Sequence, residues 1–178
     1  MRRFQFDASF EARPLHRTED VLLDMDRIES ALKLLLPAEL RDLFEQFRAA
    51  IIFDQKVEFL APHCIFSNEA GRIGLELING PVDGDYGIVR RNEQLSCRLP
   101  EWAVAFAEIA GGNMLLIDRR DHGVSVWLHD EVLSSRVVTP IYAGFRDFLD
   151  GQVRMDPPPL RSIDELGLDL KAMGLTKE

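Results

Sequence analysis

The spacing of apolar residues along this chain changes several times, and each change marks an element. Residues 4–10 (FQFDASF) alternate apolar with polar, which predicts a short strand or an extended arm that Pro14 ends. From Asp26 the period lengthens. Ile28, Ala31, Leu32, Leu35 and Leu36 fall at helical spacing and predict one apolar helix face, with Asp24 or Asp26 as the cap. Pro37 breaks that helix and opens a second one, lined by Leu40, Leu43, Phe44 and Phe47.

A β-rich middle follows. Residues 51–53 and 56–60 are rich in Ile, Val and Phe and read as strands, and 65–66 and 72–78 are candidates for more. Asn79-Gly80-Pro81 and Asp83-Gly84-Asp85 carry turn chemistry. Residues 86–98 show no clear pattern. Residues 102–109, 114–118 and 124–128 then read as strands, joined by the Gly111-Gly112-Asn113 turn and the polar turn 119–123. Short glycine-containing turns between apolar runs predict an antiparallel meander.

The spacing of Ile141, Phe145, Phe148 and Leu149 predicts a helix over 141–149, stopped by Gly151. Pro157-Pro158-Pro159 reads as a stiff spacer, and Ser162 to Glu165 has the capping-box pattern before a short terminal helix with Leu166, Leu170 and Met173. The fold class expected is α+β, a central antiparallel meander flanked by N- and C-terminal helices. Residues 1–25 form an N-terminal arm, 26–151 the domain, and 152–178 a Pro-rich spacer with the short helix.

Composition narrows the function. The chain has 178 residues, enough for one domain with its own core. Its formal net charge of -9 disfavours nucleic acid as a partner and suits a basic protein. No run of roughly 18 apolar residues is present, so no membrane span is expected. Asp7, Glu11 and Arg13 interrupt the stretch that an export signal would need to be apolar. Cys64 and Cys97 lie outside any metal or redox spacing and read as two reduced, packed thiols of a cytoplasmic protein.

A series of motifs then stands in order: Leu36-Pro37-Ala38-Glu39-Leu40; Leu99-Pro100-Glu101-Trp102; residues 109–118 (IAGGNMLLID); residues 123–131 (GVSVWLHDE); and residues 145–149 (FRDFL). This series resembles the SUKH superfamily, which includes the yeast Smi/Knr cell-wall-synthesis regulators and many bacterial proteins. The resemblance runs from about residue 26 to 151. It departs at Arg48-Ala49-Ala50-Ile51, where members usually carry an Asn-Gly-Gly-like turn. It implies a sheet flanked by helices, no enzyme activity and no cofactor. For a bacterial member it implies an immunity protein that binds and neutralises a cognate toxin, often a nuclease. The alternative is a regulatory or scaffold interaction protein of the same fold. The expected state is a monomer or weak homodimer.

The residues offer no better chemical reading. Asp118, Asp121 and His122, with His129 and Asp130 nearby, are the nearest approach to a metal set, but 118–123 is itself a turn whose side chains fan outward. His63-Cys64 would point to opposite faces of a strand. Gly111-Gly112 precedes a strand and not the helix that a phosphate loop needs, and Asp83-Gly84-Asp85 lacks the later ligands of a calcium loop. No nucleophile elbow or dinucleotide fingerprint occurs. Arg90-Arg91 and Arg119-Arg120 read as solvated turn residues. Val124, Val126 and Leu128 share one strand face, and Ser125, Trp127 and His129 the other. Trp127 is therefore either covered by a helix, the favoured reading, or exposed as an interface anchor. The candidate partner-binding residues are the turn carboxylates Asp83, Asp85, Glu93 and Asp121, with Trp127 as the alternate anchor.

Overall fold

The computed structural model describes residues 6, 10–15, 23–132 and 134–155. Among the described residues eight antiparallel strands form one sheet: β1 (Ala12–Pro14), β2 (Ile51–Leu60), β3 (Arg72–Ile78), β4 (Ala103–Ile109), β5 (Asn113–Asp118), β6 (Val124–Trp127), β7 (Val138–Tyr142) and β8 (Gln152–Met155). The first seven lie in chain order, and β8 pairs with β2. The ten-residue β2 is long enough for two short partners on one edge. β1 pairs with its first residues, β8 with its last, and a register irregularity separates the two halves. The sheet thus takes in strands on both sides of residues 26–151.

Among the described residues five α-helices complete the fold: α1 (Met25–Leu32), α2 (Ala38–Phe47), α3 (Ile88–Leu95), α4 (Ser134–Val137) and α5 (Phe145–Asp150). Asp24 caps α1, its carboxylate accepting the Arg27 amide at 3.0 Å. The helix expected to reach Pro37 stops earlier, at Lys33 in the left-handed conformation. Residues 34–36 are non-helical. Leu34 and Leu36 are buried and Leu35 points out, a period of two that coincides with the tail of the helical pattern. Pro37 caps α2 from outside, with φ -49 and ψ 141.

Two further expectations are corrected. Residues 65–66 form a turn and leave Ile65 and Phe66 exposed, so they are not a strand. Ile141 belongs to β7, and the helix begins only at Phe145, because the extended Gly144 separates them. The patternless stretch 86–98 contains α3. A strand spans Ala12–Pro14 and ends at Pro14 as expected, while most of the alternating segment 4–10 lies outside the described residues. Of that segment Phe6 and Phe10 pack against the core, and Phe6 meets Phe53 edge-on at 5.4 Å. The prolines at 157–159, the capping box and the terminal helix lie outside the described residues.

The two sheet faces bury different material. One holds the main core, where α1, α2 and α5 pack over β2 to β6. Phe148 sits at its centre, edge-on to Phe59 at 5.6 Å and to Phe106 at 5.5 Å. Each such pair adds about 0.5–1.5 kcal/mol to what burial supplies. The other face carries a smaller cluster of Ala103, Ala105, Met114, Leu116 and Trp127, closed by Leu95, Leu99 and Trp102. No described helix is long and apolar enough to cross a membrane.

Candidate functional site

The first two candidate carboxylates stand on a braced loop between β3 and α3. The Gly80 amide donates to Tyr86 O at 2.9 Å, the Ile88 amide to Gly80 O at 2.8 Å, and the Gly87 amide to Gly84 O at 3.0 Å. Gly80 lies against the backbone of Ala49 and Ala50, so that a Cβ there would come within 2.2 Å of both. Only glycine fits that approach. Asp83 projects from this loop with its side chain 89% exposed and pairs with Arg27 of α1 at 2.8 Å. Asp85 is exposed and takes part in no ion pair among the described residues. Both line a cleft of about 270 Å³ over Ala49 and Ala50.

Glu93 lies on α3, exposed and 3.6 Å from Arg90 one turn back. It lines a separate groove of about 470 Å³, shared with Lys33, Glu101 and Arg119. Asn92 fixes the helix on the sheet, donating to Ile88 O and Ala105 O and accepting the Ala105 amide. On the same side of α3, Arg91 pairs with Glu108.

Asp121 sits in the β5–β6 turn, where its carboxylate accepts the Gly123 amide at 2.9 Å. The two arginines before it are structural. Arg119 donates to Leu32 O at 3.0 Å and to Glu101 O, tying α1 to the loop before β4. Arg120 makes a two-point contact with Asp118 and lies 5.8 Å from the Trp102 ring. The bonded guanidinium holds the Asp118 carboxyl below its ordinary value, outweighing the burial that raises it. Asp121 is exposed as expected, but the other two side chains, Asp118 and His122, do not simply fan out. Asp118 is turned inward and buried, and the His122 ring nitrogen lies 2.9 Å from Leu35 O.

Trp127 is 3% exposed and belongs to the smaller core. Arg98 lies over its ring at 5.3 Å and donates to His129 O at 2.8 Å, closing the side facing solvent. The covered reading is the one observed, and the exposed-anchor reading is corrected. Cys97 is likewise corrected: it is exposed, whereas Cys64 is packed. His63 and Cys64 lie in a turn and not on a strand. No three His, Cys, Asp or Glu among the described residues converge for a metal ion.

The structure therefore joins Asp83 with Asp85 and leaves Glu93 and Asp121 on other hollows. Sequence reasoning passed over Tyr86, Ala49 and Ala50, which complete the first cleft. The signal for Ala49 and Ala50 was the small-residue pair facing Gly80, legible only once β2 and β3 are paired.

The family model of the SMI1 / KNR4 family (SUKH-1) matches residues 22–151 of the chain. No curated protein matches. No solved structure matches.

Proposed function

The chain belongs to the SMI1 / KNR4 family (SUKH-1), and from that premise we propose that it is a non-catalytic protein-binding domain, an immunity protein that neutralises a cognate toxin. The family match over residues 22–151 carries the reading. Charge supports it. An excess of acid, -9 in formal charge, suits a toxin domain with a basic cleft such as a nuclease presents to phosphate. The binding surface proposed is the set of exposed carboxylates Asp83, Asp85, Glu93 and Asp121, acting in the cytoplasm as a monomer or weak homodimer. Complementary charge of this kind speeds encounter and disfavours wrong partners more than it deepens affinity.

Co-expression with the toxin encoded beside this gene tests the reading. Rescue of growth together with a co-purifying complex is expected. Continued toxicity with no complex would refute it and favour a regulatory interaction protein of the same fold. Within a complex, reversing charge at two or more of the four carboxylates should slow association, and the loss should shrink as salt rises.

A further inference from the structure

We propose that the cleft between the start of β2 and the 80–87 loop receives a lysine or arginine side chain of the protein partner; the inference rests on the reading of a basic partner. Its floor is apolar: Ala49 and Ala50 are buried, and Leu15 and Val82 line it beside them. Its rim is exposed and acidic, with Asp83, Asp85 and the 41% exposed Tyr86. A long cationic side chain has the matching form, an aliphatic stem ending in a charge. The stem covers the floor, the head reaches Asp85, and the Tyr86 ring adds an aromatic wall of the kind that cations favour.

Size and charge favour this occupant. At about 270 Å³ the cleft falls below the roughly 300–1,000 Å³ of small-molecule sites and suits one side chain. The three other described hollows each include a cationic side chain in their lining, Lys33 and Arg119, Arg27, or Arg120, and among the described residues this one includes none. An exposed ion pair alone contributes little. Here the apolar floor adds burial, and the braced loop presents its carboxylates already ordered. Arg27 fixes Asp83, and the main-chain bonds across Gly80 and Gly87 fix the loop that carries Asp85. Binding then pays less to immobilise the site.

The test uses the full chain, isotopically labelled, titrated with Nα-acetyl-lysine-N-methylamide and read by amide chemical shifts. The norleucine and glutamate analogues serve as probes of shape and charge. Expected is saturable millimolar binding that moves the amides of Ala49, Ala50 and Val82 to Tyr86. The norleucine analogue should produce no such shifts, and Asp83→Asn with Asp85→Asn should weaken the lysine analogue at least about fivefold. Shifts scattered over the acidic surface, equal shifts with norleucine, or indifference to the double variant would overturn the proposal. Both variants lie at exposed positions, and their unchanged spectra elsewhere report the fold. If the toxin complex forms and ignores the double variant, the cleft proposal fails and the toxin reading stands. If the lysine analogue seats in the cleft and no toxin complex forms, the cleft is upheld and the toxin reading fails.

Discussion

Asn92 completes β4 at the point where β3 has run out. Its carboxamide donates to Ala105 O at 2.8 Å and accepts the Ala105 amide at 2.9 Å. The last β3 partner along this edge is Ile78, opposite Ala107, so Ala105 has no strand neighbour there. One side chain stands in for the missing residue and anchors α3, with Glu93 on its exposed side, to the sheet. Replacing Asn92 with Ala leaves a donor and an acceptor of β4 unpaired. The expected loss is about 2–6 kcal/mol, from roughly 1–3 for each of the two abandoned groups. Urea unfolding measures it. A loss below the error of the midpoint would show that water replaces the carboxamide.

Asp118 gives stability a dependence on acid. The Arg120 hydrogen bond lowers its pKa in the folded protein. The folded state then binds the proton less tightly than the unfolded state, whose value is about 3.9. The stabilisation is full above that value and disappears as pH falls through the folded one. Asp118→Asn should be less stable than the parent at pH 7, with the gap closing below about pH 4. Urea midpoints for both proteins at neutral and acid pH check the sign. A gap that persists unchanged in acid would remove Arg120 as its cause.

The meander could be read from the sequence because its signals are local. Val124, Val126 and Leu128 alternate with Ser125 and Trp127, and Gly111-Gly112 supplies two positive φ values in the turn before β5. What escaped depends on pairing. The stretch that forms α3 carries Arg90, Arg91 and Glu93, and the apolar Ile88, Val89 and Leu95 are divided between the two cores, with Asn92 at an inward position between them. An asparagine bonded to β4 does not register as an apolar face. Ile141 has helical spacing to Phe145 but lies on a strand, since the pairing of β7 with β6 is invisible locally. The site was legible in part. Asp83 and Asp85 stand out as turn carboxylates, but their cleft needs Ala49 and Ala50, more than thirty residues away in the chain. Glu93 and Asp121 look equivalent to them in sequence and face other hollows.

The 80–87 loop should tolerate side chains unequally. At Gly80 a Cβ meets the Ala49 and Ala50 backbone at 2.2 Å, which no rotamer relieves. At Gly84 a Cβ meets nothing within 4 Å, and only its φ of +111 opposes substitution. Gly80→Ala should therefore cost at least the roughly 1–3 kcal/mol typical of overpacking, and displace the loop from β2. Gly84→Ala should cost less and leave the cleft in place. Thermal unfolding ranks the two variants, and amide shifts at Ala49 and Ala50 report the displacement. The reverse ranking would mean that the loop is not seated on Ala49 and Ala50.

Trp127 separates packing from recognition. It fills the smaller core with Met114 and Leu116, and Arg98 lies over its ring. Truncation to Ala should therefore cost about 3–5 kcal/mol of stability, the usual range for a large buried aromatic. Phe keeps most of the volume and loses the wider ring that Arg98 covers, so Trp127→Phe should fold with a smaller loss. Because the residue presents almost no surface, the Phe variant should dissociate from a toxin partner at the parental rate. A surface anchor would behave in the opposite way, with little effect on stability and a faster off-rate. Unfolding and dissociation rates measured on the same Trp127→Phe sample distinguish the two. Faster dissociation without loss of stability would mean that the Arg98 cover opens on binding.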